Sequence, residues 1–208
     1  GFVAKKMGLP IERLLVATNS NDILARTLAS GTYDVLGVHP TTSPSMDIQV
    51  SSNFERLLFD AYDRDGAAIR RLMGNLAQSK SFTIDDKPLQ RIRSDFDGAA
   101  ISEDAVAAEM RMTLGDTGYL LDPHTAIGTA AARAALKKNP SVPQIALATA
   151  HPAKFPDAVE KACGVRPALP PHLGDLMARK ENFSIVANDQ SAVERFVRDR
   201  ARAAKGQE

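Results

Sequence analysis

The chain has 208 residues, 44% of them hydrophobic and 25% charged, with a net charge of +1. That suits one domain or two small ones with a real core, in an ordinary soluble globular protein. The balance gives no electrostatic case for nucleic acid or a membrane surface, and no apolar run nears the ~20 residues that span a bilayer.

The chain opens on GFVAKKMGLP. Phe2, Val3 and Met7 fit one face of a helix, Lys5 and Lys6 the other, and Gly8 and Pro10 stop it. No Ser, Thr, Asp or Asn precedes it to cap the first free N–H groups, which reads either as a frayed or trimmed N-terminus or as the second part of something longer. ERLLVATN (12–19) is a short apolar run with a polar end, followed by NDILARTLASG, a helix stopped by Gly31. Helix, strand, helix in this spacing predicts a parallel α/β sheet, with Leu14, Leu15 and Val16 in a strand covered on both faces. Functional groups then belong at its C-terminal end, in ATNSND.

Residues 33–52 read as a long loop punctuated by Pro40 and Pro44, and long ordered loops tend to be functional. SSNFERLLFDAYDRDG predicts a helix with a Ser52/Glu55 capping box and an apolar stripe of Phe54, Leu57, Leu58, Ala61 and Tyr62. A second helix over 67–77 shows Ile69, Leu72, Met73 and Leu76, and DDKPLQRIRSDF adds a shorter one. In AAISEDAVAAEMRMTLGDTG a brief extended piece precedes a helix capped by Ser102, with Glu103 and Asp104 in its first turn and Gly115 at its end. Residues 52–118 are therefore expected to form a mostly helical insertion or covering layer outside the sheet.

TGYLLDPHTAIG predicts a short strand running into an Ala-rich helix, with Asp122 at the N-cap, Pro123 at the first helical position, and a narrow face of Ala126, Ala130, Ala131 and Ala134. PQIALATAHPAKF reads as a second apolar strand with a polar end, and PDAVEKACG as a helix. Cys163 is the only cysteine, so no internal disulfide forms; it reads as a small buried hydrophobe in a chain expected in the reducing cytoplasm. Residues 167–208 form a C-terminal extension: a Pro-rich turn, a short helix, NFSIVAN as a strand, and a closing helix from Ser191.

His39, His124, His151 and His172 lack metal-ligand spacing, so no metal is expected. Gly-x-Ser-x-Gly, the P-loop and Gly-x-Gly-x-x-Gly are absent. The basic RFVRDRARAAKG reads as a solvated final helix. Three polar clusters remain: ATNSND, DPHTA and ATAHPAKF. Each has a bland reading as turn or cap residues. Together they place polar groups at one edge of a parallel sheet, where α/β enzymes hold ligands.

SPSMDIQVSSNFERL, LLDPHTAIG and ATAHPAKF resemble threonine synthase over nearly the whole chain. That family belongs to the pyridoxal-phosphate enzymes of fold type II. The resemblance implies a partial parallel-sheet α/β fold, with the cofactor domain in residues 1–51 and 119–166. It also implies the last step of threonine biosynthesis, a lyase reaction turning O-phosphohomoserine and water into threonine and phosphate with pyridoxal 5'-phosphate. Thr149 matches the residue that faces the pyridine nitrogen, where a hydroxyl donates to an unprotonated ring. Asp122, His124 and Thr125 match the segment behind the ring, and Asn19 and Asn21 the cofactor's edge. Ser43, Ser45, Met46 and Asp47 match the substrate-side wall, with His151 and Lys154 near an anionic substrate. The family's Schiff-base lysine, in a Phe-Lys-Asp motif, and its phosphate loop Gly-Asn-Phe-Gly-Asp do not occur in these residues. These 208 residues are thus expected to be inactive alone, as part of an enzyme that is a monomer at full length. A non-catalytic threonine synthase-like binding domain and a sister fold type II activity are the alternatives; SPSMDIQVSSNFERL argues against the second.

Overall fold

The computed structural model describes residues 1–204. By internal packing they fall into two units, divided between Ala168 and Leu169. In the first, α1 (Phe2–Lys6) leads to β1 (Leu14–Thr18), α2 (Ile23–Ser30) and β2 (Thr32–Asp34). After the long loop come α3 (Phe54–Ala61), α4 (Gly66–Ser79), β3 (Ser81–Thr83), α5 (Asp86–Asp95) and β4 (Phe96–Ala100). The long helices α6 (Glu103–Thr117) and α7 (Pro123–Lys138) and the short α8 (Pro156–Cys163) complete it.

β1 and β4 pair in parallel, Leu14 opposite Phe96 and Thr18 opposite Ala100, so both C-terminal ends lie on one edge. β2 and β3 form a small antiparallel pair. Successive strand residues point to opposite faces. Val16 therefore packs on one core, around Ile23, Leu58, Leu72 and Ile92, while Ala17 packs on another, around Val106, Met110, Ile127 and Val159. In the first core Tyr33 stacks against Phe82 at 4.9 Å and Phe54 at 5.7 Å. Burial pushes its phenol pKa up, and its hydroxyl accepts the Ser51 N–H. α2 lies close on the sheet because Gly98 has no side chain; a Cβ there would sit 2.8 Å from the Ala25 Cα.

At the edge opposite the strand C-termini, Arg13 latches the layers. It makes a two-pronged pair with Asp97 and donates to the carbonyls of Arg93, Ser94 and Phe96, filling acceptors that the end of α5 leaves free. Between α6 and α7, buried Glu109 takes a forked pair from Arg133.

Several sequence expectations need correction. Residues 52–118 are mostly helical, but they are not only a covering layer. They supply β4, the partner of β1, and β3, and their side chains share one core with Ile23 and Tyr33. No capping box forms at Ser52 and Glu55. The chain already turns at Ser51–Phe54, so Asn53, with helical φ and ψ, takes the N-cap position without a side-chain bond. α6 runs through Gly115 to Thr117, because Gly118, at φ 72°, supplies the left-handed stop. Ala134 on α7 is exposed, so the small-residue face is shorter than expected. Residues 119–121, 145–149 and 182–188 form no strand, for a strand needs a ladder partner and none of the described strands runs beside them. Ile145 is 87% exposed in consequence. At the start, α1 has no side-chain cap and Gly8 follows it at φ 95°, but Val3 and Met7 are exposed rather than buried.

The second unit holds α9 (Gln190–Arg200), capped by Asp189, which accepts the Ala192 N–H. Arg200 lies over the Phe196 ring and bonds Ser184. The arginines of α9 are exposed, while Lys205 and Gly206 of the basic segment lie outside the described residues. No described helix is long and apolar enough to cross a membrane.

Candidate functional site at the strand ends

Asn19 leaves the end of β1 fully buried. Its Nδ2 donates to Thr41 Oγ1, Ser43 Oγ and Asp47 Oδ1 within 2.9 Å, and its Oδ1 accepts the Asn21 N–H at 2.9 Å. That last bond is an Asx turn, which bends the chain from strand to helix. Asn21 meets the His39 backbone twice, donating to its carbonyl at 2.8 Å and accepting its N–H at 2.9 Å. Asp47 closes the cluster. It accepts from Asn19, Asn21, the Thr41 hydroxyl at 2.6 Å and the Thr41 N–H at 2.9 Å. Three of these donors reach Oδ1 and one reaches Oδ2, so most of the carboxylate's acceptor capacity is spent on its own chain. The Thr41–Asp47 loop is thereby moulded around the end of β1, with a helical turn at Pro44–Met46.

The second cluster starts at α7. Asp122 is buried and caps the helix, accepting the N–H groups of His124 at 2.9 Å and Thr125 at 3.3 Å. It also faces His124 Nδ1 at 3.0 Å and accepts a hydrogen bond from the Thr125 hydroxyl. The Ser45 N–H donates to His124 Nε2 at 3.4 Å. Both contacts are satisfied by a neutral imidazole with its proton on Nδ1. The Thr125 hydroxyl in turn accepts the Thr149 N–H at 3.2 Å. A continuous relay therefore runs from the loop, through His124, Asp122 and Thr125, to the segment around Thr149.

The other sequence candidates are less involved. The Met46 side chain packs on the second core. The side chain of Thr149 is exposed, and only its N–H enters the relay. His151, also exposed, accepts the Ala153 N–H and caps the turn Pro152–Lys154. Lys154 is exposed with its ammonium 5.9 Å from the Phe155 ring, which tilts against His124 at 4.5 Å. Sequence reasoning missed Thr41, Phe155 and the reach of Glu103, whose Oε2 accepts the Thr42 N–H at 2.9 Å. The hydroxyl-rich TTSPS run was the available signal for Thr41; Glu103 carried only a helix-start signal. Among the described residues no group of three or more His, Cys, Asp or Glu is placed to hold a metal ion.

Buried amide, carboxylate and imidazole groups are gathered by loops at the C-terminal ends of the parallel strands of an α/β fold, the place where such sheets bind ligands. The comparisons with known proteins narrow the class. Residues 125–197 match the family model "Threonine synthase, C-terminal". The threonine synthase of Pseudomonas aeruginosa is 46% identical over 95% of this chain and 42% of its own length. A crystal structure of PLP-bound threonine synthase from Brucella melitensis superposes with a TM-score of 0.81 at 56% identity, over 97% of this chain and 43% of that one. Yeast threonine synthase superposes with a TM-score of 0.79 at 34% identity, over 95% of this chain and 43% of that one. Over nearly its whole length the chain is similar to threonine synthases, and it spans well under half the length of these relatives.

Proposed function

We propose that the full-length protein carrying this chain is a threonine synthase, a carbon–oxygen lyase that converts O-phosphohomoserine and water to threonine and phosphate. The observation that carries the reading is the relay. It joins the three segments that resemble threonine synthase at one sheet edge, in a chain 56% identical to a PLP-bound member of that family.

The residues present fit pyridoxal 5'-phosphate in one visible respect. Thr149 is pinned through its N–H while its side chain stays exposed. Its hydroxyl would donate to the ring nitrogen, and a threonine suits an unprotonated pyridine better than a carboxylate would. When bound, this cofactor supplies an electron sink for breaking carbon–proton bonds. The protein's part is orientation. Thr125 fixes the height of Thr149, Asp122 holds Thr125 and His124, and His124 steadies the loop through Ser45. Asn19, Asn21 and Asp47 shape that loop as the substrate-side wall. Lys154 contributes positive charge on the side of an anionic substrate. The 208 residues alone are inactive in this reading, since the Phe-Lys-Asp lysine is not among them.

The test is the full-length protein, incubated with pyridoxal phosphate and O-phosphohomoserine. Threonine and inorganic phosphate should appear in equal amounts, with neither formed by the 208-residue chain alone. Turnover of serine or threonine without use of O-phosphohomoserine would replace this reading with a dehydratase. Sedimentation of the same sample tests the expected monomer, and fractionation of cells the expected cytoplasmic location.

A further inference from the structure

Glu103 stands at the first position of α6, just beyond the end of β4. An acid there ordinarily serves the helix, either by the macrodipole or by capping. In this chain the cap is Ser102, whose hydroxyl accepts the Ala105 N–H, and Asp104 supplies a second first-turn charge. The Glu103 carboxylate instead leaves the helix and crosses to the loop, where Oε2 accepts the Thr42 N–H at 2.9 Å. Its other oxygen is buried and has no hydrogen-bond partner among the described residues.

Most of the loop's other hydrogen bonds come from one side. Asn19, Asn21 and Asp47 fasten Thr41, Ser43 and Asp47 to the end of β1. Toward α7 its one hydrogen bond is the long 3.4 Å bond from Ser45 to His124, beside the packing of Met46 on the second core. Toward α6 the Glu103 carboxylate is its anchor, and a charged acceptor at this distance is the stronger kind of hydrogen bond.

We propose that Glu103 is a positioning residue. By holding the Thr42 N–H it sets the stance of the Thr41–Asp47 loop and so the shape of the substrate-side wall. The role rests on reading that loop as the wall of a threonine synthase site.

The experiment uses the full-length enzyme with Glu103→Ala, Glu103→Gln and Asp104→Ala. Glu103→Ala should raise KM for O-phosphohomoserine about tenfold with kcat within about twofold, the pattern of lost binding rather than lost chemistry. Glu103→Gln keeps a carbonyl oxygen for Thr42 and should stay within about twofold in KM, and the control Asp104→Ala should match the parent. Amide exchange at Thr42 gives a readout free of activity: faster by about tenfold or more in Glu103→Ala, protected in Glu103→Gln. If the alanine variant does not fold, Glu103→Met keeps the volume and removes the acceptor. An unchanged KM and unchanged Thr42 exchange on losing the acceptor overturn the proposal, as does a glutamine variant damaged as much as the alanine one. If the parent enzyme does not use O-phosphohomoserine, the functional reading falls, and the exchange data still decide whether Glu103 holds the loop.

Discussion

The Thr125 hydroxyl holds two partners at once, donating to Asp122 and accepting the Thr149 N–H at 3.2 Å. It joins the start of α7 to a segment 24 residues further on that has no ladder to fix it. Replacing it by the isosteric valine removes both bonds and leaves a buried carboxylate oxygen short of a donor. We expect Thr125→Val to cost about 1–3 kcal/mol in urea unfolding, with Thr125→Ser recovering most of it.

Asp122 serves the helix and the site together. Asp122→Ala strips the cap from α7 and leaves His124 Nδ1 and the Thr125 hydroxyl without an acceptor, for an expected loss of about 2–4 kcal/mol. Asp122→Asn keeps an oxygen for the backbone N–H groups and should lose less. Thermal melts of the three proteins side by side would show the order.

Strand β1, its parallel setting and the α7 cap were legible in the residues: LLVATN before NDILARTLASG, and Asp122 before Pro123. β4, the strand that pairs with β1, was not. Its sequence, FDGAA, has little apolar signal, because Gly98 is there to let α2 approach and not to fill a core. The apolar run at 145–149 misled in the opposite sense, since its composition suits a strand but pairing requires a neighbour. At the site, the polar clusters stood out as strings, but their wiring did not. Glu103 and Thr42 lie 61 residues apart, and no local pattern announces a bond of that kind.

Gly98 itself gives a sharp test of the layer spacing. Alanine there would bring a methyl to 2.8 Å from the Ala25 backbone and 3.3 Å from Leu28 Cδ1. Backbone cannot step aside as a side-chain end can. Gly98→Ala should therefore destabilise by about 1–3 kcal/mol through overpacking, measured as a lower urea midpoint with an unchanged slope.

The Arg13–Asp97 pair carries a pH signature. The guanidinium, by hydrogen bond first and by charge second, holds the Asp97 carboxyl below the usual carboxylate range. The folded protein then takes up this proton only at a lower pH than the unfolded chain does. The pair's stabilisation is full above the ordinary aspartate range and is lost as pH falls through the lowered folded value. Asp97 is well exposed, so the contribution is small, about 0–1 kcal/mol. Asp97→Asn should flatten that part of the acid-unfolding profile and leave stability near neutral pH within about 1 kcal/mol of the parent.

The parallel direction of β1 and β4 also bears on how this chain can be altered. Both strands deliver their loops to the same edge, so any insertion after Thr18 or Ala100 rebuilds the candidate site. Insertions before Leu14 meet the Arg13 latch, where the cost falls on folding and leaves recognition alone. A protein engineer would therefore find two separate design handles on one pair of strands, one end for the proposed site and the other for shelf life.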